Sequence, residues 1–400
     1  MMMDTARLDA LRDEVLDFRH KGVPAAAHGL TVGEWIASGP PTPTLPTPLV
    51  SISDQALEHN LRAMATWCAE RGLALAPHGK ATMAPQLWRR QLDAGAAAIT
   101  VATSFQAGVA RHFGVPRIVI ANQIADPAEL ARLSVWAGQG TAIGLFSETP
   151  LTFVRGTGAA PLDVYVELGS PGGRAGARSI AEALAVAAKI EADPHLRLAG
   201  VAGYEGAVAS GTDAASIAAV DHYLGDLVTL FEALDFQTDR PVLSAGGSAY
   251  FDRVAAILGP LADRAEVLLR SGSYLVHDHG FYARMTPTAR GGDGPELRPA
   301  LEGRSRVISR PETGLAILDG GRRDFPYDQD LPIPLGLKGT ECPQISDQHL
   351  FLTGAVDHLA VGDVVRLGLS HPCTSFDKWL LLPVVDEEAG TVVDAVQTFF

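Results

Sequence analysis

A lysine closes the segment Pro77-His78-Gly79-Lys80, directly after a short apolar run at 73–76. An apolar surround lowers a lysine's pKa and frees its amine for imine formation with a carbonyl compound. Alone, a lysine in such a segment is more often a plain surface charge. Further along, Glu167-Leu168-Gly169-Ser170-Pro171-Gly172-Gly173-Arg174-Ala175-Gly176 presents Arg174 on a glycine-rich turn. Such a turn suits an anionic oxygen, or is a plain loop. In Gly203-Tyr204-Glu205-Gly206, Tyr204 is placed to lie along an aromatic ring or simply to pack. Ala245-Gly246-Gly247-Ser248 sets bare backbone amides beside a hydroxyl, which would cradle a phosphate, although glycine pairs are common in turns. Arg270-Ser271-Gly272-Ser273-Tyr274 offers a second phosphate loop.

One further constellation is His371-Pro372-Cys373. Alternate residues of an extended segment project to one side, so an imidazole and a thiolate there could share an ion. Two ligands are too few for structural zinc. Water and substrate would complete the shell, as an open catalytic site requires. The bland alternative is a half-buried histidine beside an inert cysteine. His349, in Ser346-Asp347-Gln348-His349, reads as a strand-end histidine.

These segments need a scaffold that brings them together. Short β-favouring runs at 73–76, 98–101, 117–121, 142–146, 164–167, 198–202, 241–245 and 267–270 alternate with Ala-rich stretches of helical period such as 180–191 and 214–234. About eight strand–helix units in a little over 200 residues is the spacing of a (β/α)8 barrel, whose active groups follow the carboxyl ends of the strands. Lys80, Arg174, Tyr204, Gly246 to Ser248 and Arg270 to Tyr274 all occupy such positions. Past about residue 290 the helical texture vanishes. Runs at 306–309, 315–318, 349–353, 363–369 and 380–385 predict an all-β domain. At the other end, Leu8, Leu11, Val15 and Phe18 predict an amphipathic helix over 4–20. Five prolines between Gly39 and Pro48 predict a stiff connector without regular structure. The reading is therefore an arm and connector over 1–46, a barrel over 47–290 and a β domain over 291–400.

Composition narrows the class. Of 400 residues, 47% are hydrophobic and 20% charged, so a sizeable core is available and wholesale disorder is excluded. A formal net charge of −14 and the lack of any basic run argue against a nucleic-acid partner. Three distant cysteines, Cys68, Cys342 and Cys373, argue against a disulfide framework. No apolar run approaches the ~20 residues of a membrane helix, and Met1 to Arg7 lack the layout of a secretory signal. A cytoplasmic, soluble protein is the expectation.

In order and spacing the segments resemble the pyridoxal-phosphate enzymes of the alanine racemase fold (fold type III), and within them the D-serine dehydratase and D-threonine aldolase family. The resemblance runs from about residue 47, where Thr47-Pro48-Leu49 opens the barrel, to about 380. It implies a (β/α)8 barrel of the alanine racemase amino-terminal type followed by the all-β domain, with pyridoxal 5'-phosphate as cofactor. By position, Lys80 would hold the cofactor and later act as base. Arg174 would face its phenolic oxygen, and Tyr204 would lie along its ring. Gly246, Gly247, Ser248, Gly272, Ser273 and Tyr274 would bind its phosphate. Arg270 falls where alanine racemases direct an arginine at the ring nitrogen, a position at which family members vary. His371 and Cys373 match the dehydratases' metal pair, where aldolases typically carry His-x-Asp. Zinc suits thiolate plus imidazole, with manganese as the other option.

The resemblance implies a metal-assisted dehydratase that converts D-3-hydroxy amino acids such as D-serine or D-threonine to a 2-oxo acid and ammonia. The nearest rival is retro-aldol cleavage to glycine and an aldehyde. A rival of another class is a pyridoxal phosphate carrier without turnover. Racemisation needs a second acid/base, normally a tyrosine, for which the β domain offers no candidate. Two departures bear on substrate choice: Ala81-Thr82-Met83 stands where many dehydratases have Thr-His-Lys, and the amino-terminal arm is long. Gln106 and Gln123 are candidates for the substrate carboxylate. Family likeness also implies a homodimer.

Overall fold

The computed structural model describes residues 3–149, 151 and 159–400. Its first strand, β1 (Leu49–Ser53), precedes the barrel, whose strands are β2 (Ala74–Leu75), β3 (Ile99–Val101), β4 (Arg117–Ile120), β5 (Ala142–Ser147), β6 (Leu162–Leu168), β7 (Leu196–Gly203), β8 (Val242–Ala245) and β9 (Glu266–Leu269). All eight are parallel, in the order β2-β9-β8-β7-β6-β5-β4-β3. Ala97 N donates to Leu75 O at 2.7 Å and Thr100 N to Pro77 O at 2.9 Å, so the sheet curls until its two edges meet. Each expected run holds a strand, because helices outside and side chains inside bury both faces and make the strands continuously apolar.

Helices between the strands start at polar caps. Ser53 caps the helix Asp54–Ala69, which buries Leu57, Leu61, Met64 and Cys68 at three- and four-residue spacing. Inside the barrel, small and large residues alternate: Ala76, Ala98, Val119, Phe146, Tyr165, Ala199, Ala202, Val242 and Leu268 form one buried cluster. Gly144 makes room for Tyr165, since a Cβ there would lie 2.3 Å from the tyrosine hydroxyl oxygen. At the amino-terminal end of the strands, Arg117 makes a forked pair with Glu266 at 2.7 and 2.6 Å.

The second sheet comprises β10 (Leu301–Glu312), β11 (Leu315–Leu318), β12 (Ile333–Pro334), β13 (Thr340–Ile345), β14 (Leu350–Gly354), β15 (Val364–Gly368), β16 (Leu381–Asp386) and β17 (Thr391–Gln397), together with β1. The order is β13-β14-β11-β10-β1-β16-β17, with β15 against β10 and β12. Here the structure departs from the expected boundary. The segment after Thr47-Pro48 opens no barrel strand: β1 runs antiparallel to β10 and parallel to β16. A fully buried five-residue strand looks the same in either sheet, and its partners lie far along the chain. The strands β12, β13 and β17 were also not foreseen; β12 is only two residues long and β13 is largely polar and interrupted by Pro343.

The arm differs too. Its helix spans only Thr5–Asp9, followed by a 3-10 turn Ala10–Asp13. Val15 then bridges to Thr31, and Phe18 is 85% exposed while Leu16 is fully buried. Leu16, off the helical spacing, is the residue that anchors the arm. With Val23, Val32, Trp35 and Leu45 it packs on Leu49, Leu381, Val392 and Ala395 of the second sheet. The proline-rich stretch contains a 3-10 turn, Thr42–Thr44, and bridges Thr391 through Pro41, so it straps the sheet instead of hanging free. Among the described residues no helix is long and apolar enough to cross a membrane.

Substituting Gly144→Ala tests the tight interior. Forcing a methyl against Tyr165 is expected to cost ~1–3 kcal/mol and lower the thermal midpoint by several degrees in a scanning unfolding measurement. An unchanged midpoint would mean the barrel lining is loosely packed.

Candidate active site

A cavity of about 480 Å³ opens at the carboxyl ends of the barrel strands, beneath residues of the second sheet. That lies within the roughly 300–1,000 Å³ typical of small-molecule sites. Lys80 reaches it from the 3-10 turn Gly79–Ala81 after β2. Gly79 is obligatory in that turn, since a Cβ would lie 2.8 Å from both Trp88 Nε1 and Ile99. Burial pushes the Lys80 amine below its ordinary pKa; the Cys373 sulfur opposes this, while the Arg174 and Arg270 guanidiniums reinforce it. The neighbouring His78, also on the cavity wall, is held neutral mainly by burial and keeps a buried Nδ1 without a partner.

Gly246, Gly247, Ser248, Gly272 and Ser273 line one side of the cavity. The amides of Gly246 and Gly247 are not bare: they donate to the carboxylate of the fully buried Glu205 at 2.8 and 2.6 Å. Ser248 Oγ accepts from Ser273 N at 3.2 Å, tying the two loops together. Gly272 packs so closely on His78 that a Cβ would sit 2.6 Å from its carbonyl oxygen. Tyr274, expected at the phosphate, points away into the core, where its hydroxyl accepts from Gln91 Nε2 at 3.2 Å. Its place in the motif is that of a spacer whose ring fills the barrel wall.

Arg270 donates to Ser244 Oγ at 2.5 Å and Gly203 O at 2.6 Å, and its guanidinium lies over the Phe146 ring. Arg174 stacks on Tyr204, 4.4 Å from the ring centre, and both line the cavity. Gln106 and Gln123 are committed elsewhere. Gln106 accepts from Ala102 N, and Gln123 bridges Glu167 to Glu148 N. Glu167 itself lines the cavity, and burial raises its carboxyl above the usual range. His349 is exposed just before β14 and takes no part.

His371 and Cys373 face the same cavity as Lys80, within a single chain. The segment is not extended as expected. His371 is left-handed, with φ 55° and ψ 79°, and Cys373 lies in the 3-10 turn Pro372–Thr374. Left-handed backbone is costly for a histidine, and Asp278 supports it: the carboxylate accepts from His371 N at 2.9 Å and from Gly280 N and Ala283 N at 3.1 Å. Asp328 Oδ2 meets His371 Nδ1 at 2.5 Å. Burial opposes a thiolate at Cys373, but the His371 imidazole beside it outweighs that, and the thiol's pKa falls. Ser273 Oγ is 3.5 Å from the sulfur, and Tyr282, which lines the cavity, hydrogen-bonds Ser273.

This donor set fits the groups the sequence pointed to. A depressed amine, an aromatic ring, two tied Gly/Ser loops and an unpartnered buried imidazole nitrogen suit pyridoxal phosphate. A cysteine whose thiol pKa is lowered, paired with an oriented imidazole, suits a divalent ion. Among the described residues no third His, Cys, Asp or Glu completes a closed ligand set, so the pair would leave positions open. Glu205, Asp278, Tyr282 and Asp328 were not singled out from sequence; of these only Glu205 lay inside a quoted motif, and the glycine amides it serves lie 41 residues on.

Comparison with known proteins agrees with the architecture. The chain is 27% identical to the D-threonine aldolase of Arthrobacter sp. over 355 residues, 85% of this chain and 89% of that one. The crystal structure of D-threonine aldolase from Filomicrobium marinum superposes with a TM-score of 0.77 at 24% identity, covering 90% of this chain and 97% of the other. D-threo-3-hydroxyaspartate dehydratase from Delftia sp. HT23 shares the fold at a TM-score of 0.70 and 19% identity, covering 90% and 99%. Residues 300–385 match the putative serine dehydratase domain. With residues 52–276, more than half its length, matching the alanine racemase amino-terminal domain, the chain belongs to that family.

Proposed function

We propose that this chain is a pyridoxal phosphate- and metal-dependent lyase acting on D-3-hydroxy amino acids, which it dehydrates to a 2-oxo acid and ammonia. The observation that carries this is the convergence of the Lys80 amine with the His371/Cys373 pair in one cavity. The names of the relatives, aldolases and a dehydratase of D-3-hydroxy amino acids, support the substrate class.

When bound, pyridoxal phosphate supplies an electron sink that makes the proton on an amino acid's α-carbon removable near neutral pH. A metal ion supplies Lewis acidity to the β-oxygen, worth several kcal/mol. The chain's own residues would divide the remaining work. Lys80, whose amine burial pushes below its ordinary pKa, would take the α-proton. Ser248, Gly272 and Ser273 would hold the phosphate, since the two amides before Ser248 already serve Glu205. Tyr204 and the Arg174 stacked on it would fix the ring. His371 and Cys373 would hold the ion, zinc being favoured by sulfur and nitrogen donors and manganese being the other option. Elimination is preferred because the metal pair is His-x-Cys.

Retro-aldol cleavage is the second reading, favoured by the 27% identity to a D-threonine aldolase. D-Threonine separates them: 2-oxobutanoate and ammonia are expected, whereas glycine and acetaldehyde would establish cleavage. Replacing Lys80 by alanine should abolish both turnover and the visible absorption of the cofactor-loaded protein; retained turnover would end the proposal. Cys373→Ala should keep that absorption while losing metal and about a thousandfold in kcat, the equivalent of ~4 kcal/mol. Full activity in metal-free Cys373→Ala protein would remove the metal from the mechanism.

A further inference from the structure

We propose that Asp328 is a positioning residue for the metal, acting through His371 and resting on the reading of His371 and Cys373 as a metal pair. Asp328 belongs to the loop between β11 and β12, far in sequence from any recognisable motif. Its two oxygens are divided between two partners on one turn. Oδ2 meets His371 Nδ1 at 2.5 Å, and Oδ1 accepts from Thr374 Oγ1 at 2.7 Å. Two residues on, Asp330 accepts from Ser370 Oγ at 2.7 Å and pairs with Arg284 at 2.8 Å. Two aspartates thus clasp the 370–374 turn from the same loop, so the contact is braced on both sides.

The consequence concerns which nitrogen of His371 is available. A carboxylate at Nδ1 holds the proton there, leaving the Nε2 lone pair for the cavity, where the Cys373 sulfur also lies. Carboxylate partners of this kind fix the tautomer and ring orientation of a ligating histidine and raise its basicity. Asp278 complements this by holding the main-chain amide of His371, so the backbone and the ring are set by different acids. Asp328 touches neither Lys80 nor the Gly/Ser loops. Its loss should therefore leave cofactor binding alone.

Zinc affinity of the cofactor-loaded protein, measured by competition against a chromophoric chelator, tests this directly. Asp328→Ala is expected to weaken zinc binding about 10–100-fold. Asp328→Asn, which keeps an oxygen to accept from Nδ1–H, should recover part of the loss. The visible absorption of the zinc-free proteins should match wild type, which a general disruption of the cavity by the loss of Asp328 would not produce. Zinc affinity within twofold of wild type in Asp328→Ala would overturn the inference, as would a loss equal in both variants. His371→Ala serves as the control on the underlying reading: undiminished zinc affinity there would show that the ion lies elsewhere, a failure distinct from that of Asp328.

Discussion

Lys80 carries its amine into a cavity that also holds two guanidiniums, Arg174 and Arg270, and the Cys373 sulfur opposes them. Excluding water there makes the ammonium form costly, and the rest of the site is organised around that cost. The turn bearing Lys80 is wedged between Trp88, Ile99 and the loop containing Gly272, which fixes the backbone from which the side chain enters the cavity. Arg270 is locked onto Ser244 and Gly203, which keeps its charge fixed in place. Burial and fixed charge together thus hold the amine's pKa below its ordinary value.

The second sheet completes what the barrel begins. The barrel rim supplies the amine, the aromatic ring and the Gly/Ser loops, whereas the His371/Cys373 turn comes from beyond β15. Contacts between the two parts are specific. Ser273 approaches Cys373, and Asp278, just past the last barrel strand, holds the His371 amide. These links tie the turn bearing the sulfur and imidazole directly to the barrel rim.

Much of this was legible beforehand, for identifiable reasons. Barrel strands buried on both faces produce apolar runs that stand out against Ala-rich helices, so all eight were found within a residue or two. Lys80, Arg174, Tyr204, Ser248, Arg270, His371 and Cys373 all line one cavity because each follows a strand end or a turn with an unusual composition. Tyr274 misled because a motif shows which residues adjoin a loop and not which way a ring turns. The arm misled in its second half: Leu8 and Leu11 pack on the core, but Val15 and Phe18, which continue the helical spacing, are exposed and Leu16 is buried instead. Asp328, Asp278 and Glu205 act through partners 43, 93 and 41 residues away, and no local pattern announces such pairs.

The position of β1 bears on how the molecule is made. On a ribosome the strand Leu49–Ser53 emerges before the barrel, yet Leu49 pairs with Arg304 and Ile52 with Val384. The barrel can close during synthesis while β1 and the arm packed over it wait for the end of the chain. Non-local pairing of this kind is slow and leaves strand edges open to aggregation in the interval. Nascent chains stalled short of β10 would therefore carry the barrel strands with an unpaired leader, since both partners of β1 lie beyond residue 300.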